Sequence, residues 1–492
     1  MKYFSTRDSS KKVSAAQAIA QGLAPDGGLY VPERIPAVSM DEIKELCKLD
    51  YRERAVKIMG LYLEEFSADE LRGFVTDAYS DNYDSAAIAP TVFLNDETGL
   101  LELWHGPTCA FKDMALQMLP RLLVASLRKL GEQRRVCILV ATSGDTGKAA
   151  LEGFADVPGT SIVVFYPRDG VSDVQKLQMT TQRGENVFVS AVEGNFDDAQ
   201  TGVKKIFSDR GFAKALDEKG WFLSSANSIN WGRLLPQVVY YFSAYCDSMN
   251  AGKIKLGDEI DFCVPTGNFG DILAGWYAKK MGLPVRKLIC ASNKNRVLTD
   301  FFETGVYDRN REFYTTISPS MDILVSSNLE RLLYMLAGEE NVKQWMEELK
   351  TTGKYDVGPS VLAKLRCDFD AGCADDEEAK DAIGRLYKEK NYLMDTHTAD
   401  AFAVLEKRRA AGDNFPTVVV STASPFKFCD AVLSALGEDD SVSGIALLDR
   451  LSEKTGLNAP KPLAGLGSRE VRFTGSTAKE QMPDVVMDFL AK

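Results

Sequence analysis

Six short and nearly uninterrupted apolar runs set the tightest limit on how this chain folds: VCILVAT (136–142), SIVVFYP (161–167), NVFVSAV (186–192), DFCVPT (261–266), KLICAS (287–292) and TVVVSTA (417–423). A strand with one wet face alternates apolar and polar residues, whereas a strand covered on both faces does not. Helical stretches separate these runs. The pattern therefore predicts an α/β protein whose parallel strands carry helices on both faces. Several of the runs pass straight into a Gly-, Ser- or Thr-rich turn and then a helix, and ligands of open α/β sheets bind at those carboxyl ends of strands.

The flanking regions read differently. Residues 1–85 open with a loop, Leu23-Ala-Pro-Asp-Gly-Gly-Leu-Tyr-Val-Pro-Glu33, whose Pro-Asp-Gly-Gly core is a turn by composition. Helical patterns such as MDEIKELCKL and ADELRGFVTDAY follow. Residues 293–415 are charged and helical in pattern, and the acidic run from Asp375 to Glu378 reads as a solvated helix start. The formal charge of −12, from 58 basic and 70 acidic side chains, argues against a general nucleic-acid or anionic-membrane binder. It leaves room for one local basic pocket. Nine scattered cysteines read as reduced, mostly buried thiols, and two histidines exclude a histidine-rich metal site. The polar opening MKYFSTRDSSKK has no apolar core for a signal peptide, and no apolar run approaches the roughly 18 residues of a membrane span. The expectation is a soluble, cytoplasmic protein.

Three segments carry candidate chemistry. In Ala141-Thr-Ser-Gly-Asp-Thr-Gly-Lys148, the residues Thr142, Ser143, Gly144, Asp145 and Thr146 form a turn between a strand and a helix. The glycine spacing and the residue after Lys148 do not fit a nucleotide phosphate loop. What remains is either a carboxylate or phosphate site on free helix amides or a simple helix cap. A second turn, Pro265-Thr-Gly-Asn-Phe-Gly-Asp271, lets the backbone of Gly267, Asn268, Phe269 and Gly270 approach a ligand, with Asp271 in the first helical turn. The similar Gly194-Asn-Phe-Asp197 lacks the second glycine and adds two acids, so it reads as a helix start only. The third segment is Trp104-His-Gly-Pro-Thr-Cys-Ala-Phe-Lys-Asp-Met-Ala115. Lys112 sits there among apolar neighbours, which lowers an ammonium's pKa and suits a Schiff-base nucleophile. The competing reading is a surface lysine snorkelling beside Asp113.

These segments occur in a telling order. H-G-P-T-x-A-F-K-D-x-A is followed by ATSGDTG, NSINWGR, PTGNFGD and STASPFKF. In that order the set resembles the threonine synthase family, over the stretch from LAPDGGLYVPE to about residue 430. The resemblance implies a two-lobed pyridoxal-phosphate (PLP) enzyme of fold type II, the tryptophan-synthase-β type, with open parallel sheets flanked by helices and an N-terminal helical extension. It divides the chain into the extension (1–85), a smaller lobe with the lysine and the TSGDTG turn (86–230), and a larger lobe (231–492) holding the PLP-phosphate loop and a helical insertion at about 293–415. By resemblance, Lys112 would be the Schiff-base lysine and the Gly267–Asp271 loop would hold the cofactor phosphate. Thr422 would set its hydroxyl near the pyridine nitrogen, a neutral partner that leaves the ring nitrogen largely unprotonated. Residues 142–146 would lie by the substrate carboxylate. Ser225, Asn227, Asn230 and Arg233 would hold the substrate phosphate, or else build a buried turn network.

The reaction so implied is that of a carbon–oxygen lyase acting on phosphate: O-phospho-L-homoserine and water give L-threonine and phosphate, the last step of threonine biosynthesis. Lys112 would carry several of the proton transfers. The partner is then a small molecule, not a nucleic acid or a membrane, and the protein a monomer or homodimer with no metal. Two other readings stand beside it: a related PLP lyase, such as a phospholyase releasing 2-oxobutyrate, and a non-catalytic PLP-binding relative. Three departures from the family pattern bear on the pocket walls: Ser424 and Phe426 in the last motif, Lys148 after TSGDTG, and Met114-Ala115 after the lysine and aspartate.

Overall fold

The computed structural model describes residues 1–168, 171–438 and 442–491. Two parallel sheets form its centre. One has five strands in the order Ser476–Thr477, Val187–Val192, Thr160–Pro167, Arg135–Ala141 and Trp221–Ser224, every neighbouring pair parallel. The other has six, in the order Phe369–Cys373, Val285–Ser292, Ile260–Pro265, Thr417–Ser421, Thr98–Glu102 and Thr91–Phe93, with only the last strand antiparallel. All six apolar runs of the sequence are strands here. Thr160–Pro167, Ile260–Pro265 and Thr417–Ser421 are buried along their whole length, which is why they show no alternation.

Helices cover the sheets as expected, and their starts are capped by the residues that composition suggested. Asp375 caps Asp376–Lys390, reciprocated by Glu378, and Asn195 caps Phe196–Ser208 in the same way with Asp198. The acidic run and the look-alike GNFD turn are thus helix starts. Trp231 sits at a junction, its ring centroid 5.5 Å from those of Tyr3 and Tyr62 and 5.4 Å from that of Tyr277. It joins the first residues of the chain to the long helix Trp231–Asn250. None of the nine cysteines is paired, and six are buried. Among the described residues no helix is long and apolar enough to cross a membrane.

Three features were not readable from the pattern. Neither sheet is drawn from one side of residue 231 alone. Thr91–Phe93 and Thr98–Glu102 pair into the six-stranded sheet, and the late strand Ser476–Thr477 returns to the five-stranded one. The 293–415 region is not purely helical: Phe369–Cys373 is an edge strand of the larger sheet, and Val306–Asp308 pairs with Lys354–Asp356. FDAGC has one aromatic and no β-branched residue, so its strand is decided by pairing with Val285–Ser292 and not by propensity. The N-terminal extension likewise contains a three-stranded antiparallel sheet, Asp8–Val13, Tyr3–Ser5 and Tyr30–Pro32. The Pro-Asp-Gly-Gly turn feeds its third strand, with Gly27 at φ +81° and the Asp26 carboxylate accepting from Ser5 Oγ and Gly28 N, both at 2.8 Å.

Candidate active site

The helix that carries Lys112 is short, Lys112–Leu116, and buried at every position. It is placed by the turn before it. The Asp113 carboxylate accepts from the Thr108 amide at 2.8 Å and the Thr108 hydroxyl at 2.7 Å, and a Cβ at Gly106 would lie 2.6 Å from Asp113 Oδ2. Asp113 is therefore spent inside the turn, its pKa pushed up to about 6 by burial. Lys112 does not snorkel beside it. Its side chain is 9 % exposed, and its Nζ lies 3.4 Å from Ser320 Oγ and 3.7 Å from Asp145 Oδ2. Burial depresses its pKa, opposed by Asp145 and reinforced by Arg233 and Lys427.

The TSGDTG turn follows the strand Arg135–Ala141 and opens the helix Asp145–Phe154. Thr142 Oγ1 accepts from Gly144 N at 3.0 Å and Gly147 N at 2.9 Å, so this hydroxyl serves the turn itself. Gly144, at φ +144°, has no room for a Cβ, which would meet the Gln175 side chain at 2.5 Å. Ser143 is exposed and Thr146 half-buried. Asp145 is buried. Its Oδ1 accepts from Lys427 Nζ and Gln175 Nε2, both at 2.9 Å. Burial alone would raise its pKa; Lys427 and Lys112 outweigh that and hold it well below the usual carboxylate range.

In the 265–271 turn, Phe269 adopts the left-handed region at φ +62° while its ring is buried near Phe302 and Phe369. Side chains and backbone from 326–328 occupy the carbonyls: Ser326 Oγ donates to Gly267 O at 2.7 Å, and Asn328 N and Nδ2 donate to Asn268 O at 3.0 and 3.1 Å. Among the described residues no loop or side-chain acceptor takes the amides of 267–270. A Cβ at Gly267 would stand 2.6 Å from Ser320 O, so only glycine fits under that segment. A turn whose carbonyls are tied back and whose amides are free fits a phosphate group. Asp271 Oδ1 accepts from Tyr240 OH at 2.6 Å and Tyr241 OH at 2.8 Å, its buried Oδ2 has no partner among the described residues, and burial raises its pKa to about 6.

The NSINWGR segment divides into two uses. Asn230 caps the helix Trp231–Asn250, accepting from Gly232 N at 2.9 Å and donating to Ile19 O at 3.0 Å. Ser225 Oγ accepts from Asn227 N at 3.2 Å, and Asn227 is itself exposed. Arg233 is buried, yet its only described bond runs from Nη1 to Ala226 O at 2.7 Å, and its Nε has no partner. Burial brings its pKa down to about 10. A Cβ on Gly270 would lie 3.8 Å from Ser228 Cβ, so this segment borders the 265–271 turn. Thr422, just past the strand Thr417–Ser421, is joined to the lysine segment: Phe111 N donates to Thr422 O at 2.7 Å and Ala110 bridges Ala423. Its Oγ1 makes no hydrogen bond among the described residues, which leaves it available to a ligand.

The family departures turn out to be structural. Lys148 is buried against Glu152 (2.7 Å) and Gln182. Ser424 caps the turn at Pro425–Lys427, Phe426 packs in the apolar cluster with Leu100 and Cys109, and Met114 and Ala115 are core residues. The sequence reading missed Lys427 and Ser320. Lys427 lay in the STASPFKF motif that supplied Thr422; Ser320 lies in the 293–415 region, whose pattern offered no site signal.

His105 next to this helix is also charged by its surroundings. Its Nδ1 is 2.6 Å from Asp84 Oδ1 and its Nε2 2.9 Å from Glu102 Oε2. Burial would lower its pKa, but the two carboxylates win and bring it from 6.5 to about 9. Because the folded value is the higher one, the stabilisation is full below about pH 6.5 and fades as pH rises through 9. Urea titrations between pH 6 and 10 should lose on the order of 1 kcal/mol over that window, after screening at a partly exposed site. His105→Gln should flatten the slope; an equal slope in both proteins would assign it to other groups.

Comparison with known proteins bears on this geometry. The family models described as "Threonine synthase N terminus", "Pyridoxal-phosphate dependent enzyme" and "Threonine synthase, C-terminal" match residues 2–79, 99–367 and 398–486. The chain is 43 % identical to "Threonine synthase-like 1" of Macaca fascicularis over 445 residues, which is 87 % of this chain but 59 % of that protein's length. It is 40 % identical to threonine synthase of Saccharomyces cerevisiae over 466 residues, 88 % of this chain and 89 % of that one. The crystal structure of PLP-bound threonine synthase from Brucella melitensis superposes with a TM-score of 0.88 at 38 % identity, covering 100 % of this chain and 98 % of that one. With the N-terminal, central and C-terminal segments all matched in one chain, this protein belongs to the threonine synthase family of PLP-dependent enzymes.

Proposed function

We propose that the protein is a catalytically active threonine synthase, forming L-threonine and phosphate from O-phospho-L-homoserine and water. The observation that carries this reading is a pair of buried cations beside a turn with free amides: Lys112, whose carboxylate at 3.7 Å is shared with Lys427, and Arg233, whose Nε has no partner. One suits an aldehyde and the other a phosphate. Bound PLP would supply an electron sink for negative charge developed on the substrate's carbon chain.

The chain's own residues divide the remaining work. Lys112 holds the cofactor aldehyde at rest and, once released, moves protons at the substrate carbons with an amine whose buried surroundings favour the neutral form. The amides of Gly267, Asn268, Phe269 and Gly270 hold the cofactor phosphate, and Thr422 Oγ1 meets the ring nitrogen. Asp271 supports that turn from behind, through its tyrosines. Ser143 and Thr146 offer hydroxyls to the substrate carboxylate on a turn that Thr142, Gly144 and Asp145 hold in shape. Arg233, with Ser225 and Asn227 at the mouth, holds the substrate phosphate, and Asn230 positions Arg233 by capping its helix. Burial of Lys112 keeps water from competing for its proton.

The test is product analysis on purified protein with PLP and O-phospho-L-homoserine. Equal amounts of phosphate and threonine are expected. Phosphate with 2-oxobutyrate would make the protein a phospholyase, and cofactor absorption without either product would make it a binding relative.

A further inference from the structure

Lys427 is the most enclosed ammonium in the site, with no exposed side-chain surface. Its Nζ makes three contacts: Asp145 Oδ1 at 2.9 Å, Thr108 O at 3.0 Å and Gln178 Oε1 at 3.2 Å. Those partners come from the lysine-bearing turn and from the helices Asp145–Phe154 and Asp173–Thr180. Gln175 Nε2 takes Asp145 Oδ1 as well. The Asp145 carboxylate is thereby committed through Oδ1, and Oδ2 reaches Lys112 Nζ only at 3.7 Å, beyond hydrogen-bond range.

We propose that Lys427 is a positioning residue that takes the nearer hold on the Asp145 carboxylate, so that Lys112 has only a share of that counterion, at 3.7 Å, and offers a neutral amine for covalent attachment. The inference rests on the reading of Lys112 as the cofactor lysine. The charge balance supports it. With Lys112 neutral, Lys427 and Asp145 cancel; adding a proton to Lys112 leaves a net positive charge in a buried site. Without Lys427, Asp145 would be free to pair with Lys112 one to one and hold it protonated. The other charged groups near Lys112 are Arg233 on Trp231–Asn250, which also opposes protonation, and Asp271 on Gly270–Lys280, whose Oδ1 is taken by Tyr240 and Tyr241 while its Oδ2 has no partner among the described residues. Asp113 on its own helix is bonded to Thr108, and Ser320 beside Nζ is held by its amide on His397 Nε2 at 3.1 Å.

The test needs no turnover. Full-length protein freed of PLP is acetylated with trace acetic anhydride across pH 6–11, and modification of Lys112 is read by peptide mass spectrometry, with Lys148 as the internal buried reference. In Lys427→Met the Lys112 midpoint should rise by about one unit, a roughly tenfold slower reaction at any pH below it. In Asp145→Asn it should fall. In the double variant the effect of removing Lys427 should largely vanish, because the carboxylate it occupies is gone. An unchanged midpoint in Lys427→Met, or the same rise with and without Asp145, overturns the proposal, the latter because Lys427 would then act only through direct repulsion. If Lys427→Met does not fold, Lys427→Gln, which keeps a donor to Asp145 but removes the charge, takes its place: a raised midpoint supports the proposal and an unchanged one overturns it. Failure of wild-type protein to gain near-visible absorption with PLP would sink the cofactor-lysine reading instead, and so tells the two apart.

Discussion

Lys112→Ala is expected to remove near-visible absorption from protein purified with PLP and to cut threonine formation by on the order of a thousandfold or more. The reasoning is local. Nζ of Lys112 is the one buried amine near both the 142–147 turn and the 265–271 turn that has no acceptor closer than Ser320 Oγ at 3.4 Å. The other buried lysines are engaged, Lys148 with Glu152 and Gln182, Lys427 with Asp145. No neighbour can take over the covalent role without leaving a buried carboxylate unpaired. Lys148→Met serves as the matched control: it deletes a buried ammonium outside the site and should keep both the absorption band and turnover. Absorption and activity retained in Lys112→Ala, or lost equally in Lys148→Met, would show that Lys112 is not the attachment point.

Arg233→Met should lower kcat/KM for the phosphorylated substrate by about a hundredfold, mostly through KM, from the loss of charge-assisted hydrogen bonds worth about 3 kcal/mol. The same change should leave stability within about 1 kcal/mol of wild type. Arg233 gives up only the Nη1 bond to Ala226 O, and in exchange a buried guanidinium with an unpartnered Nε disappears. On the proposed reading, the partner that Arg233 lacks arrives with the substrate. The opposite pattern, a large drop in melting temperature with KM unchanged, would make Arg233 part of a structural turn network and leave the substrate phosphate to other groups. PLP absorption measured alongside separates loss of cofactor from loss of substrate affinity.

Much of the site was legible because its signals are local. TSGDTG and TGNFG need glycine at positions where a Cβ would meet Gln175 or the Ser320 carbonyl, and that need is written in the chain as residue type. The apolar neighbours of Lys112 left a snorkelling surface lysine open, and the order of the motifs, through its resemblance to the threonine synthase family, singled Lys112 out. Less legible was what each side chain is packed against. Asp271, read as part of the phosphate turn, gives Oδ1 to two tyrosines of another helix. Asn230, read as a phosphate ligand or part of a buried turn network, caps a helix. Ser424, Phe426 and Lys148 looked like altered pocket walls and are a turn cap, a core residue and half of a buried ion pair.

The same division holds for the fold. Doubly buried strands announce themselves by unbroken hydrophobicity, so the sequence alone determined a parallel α/β architecture, the turns at its strand ends and the order of the motifs. It did not determine sheet membership. TGLLE at 98–102 and FDAGC at 369–373 are strands because Thr417–Ser421 and Val285–Ser292 offer them hydrogen-bonding edges. Nor did it determine which ammonium faces which carboxylate. Coulomb energy depends on distance and burial, and neither is a property of spacing along the chain. Only the tertiary structure brings Lys427 to Asp145 at 2.9 Å and leaves Lys112 a share of the same carboxylate at 3.7 Å.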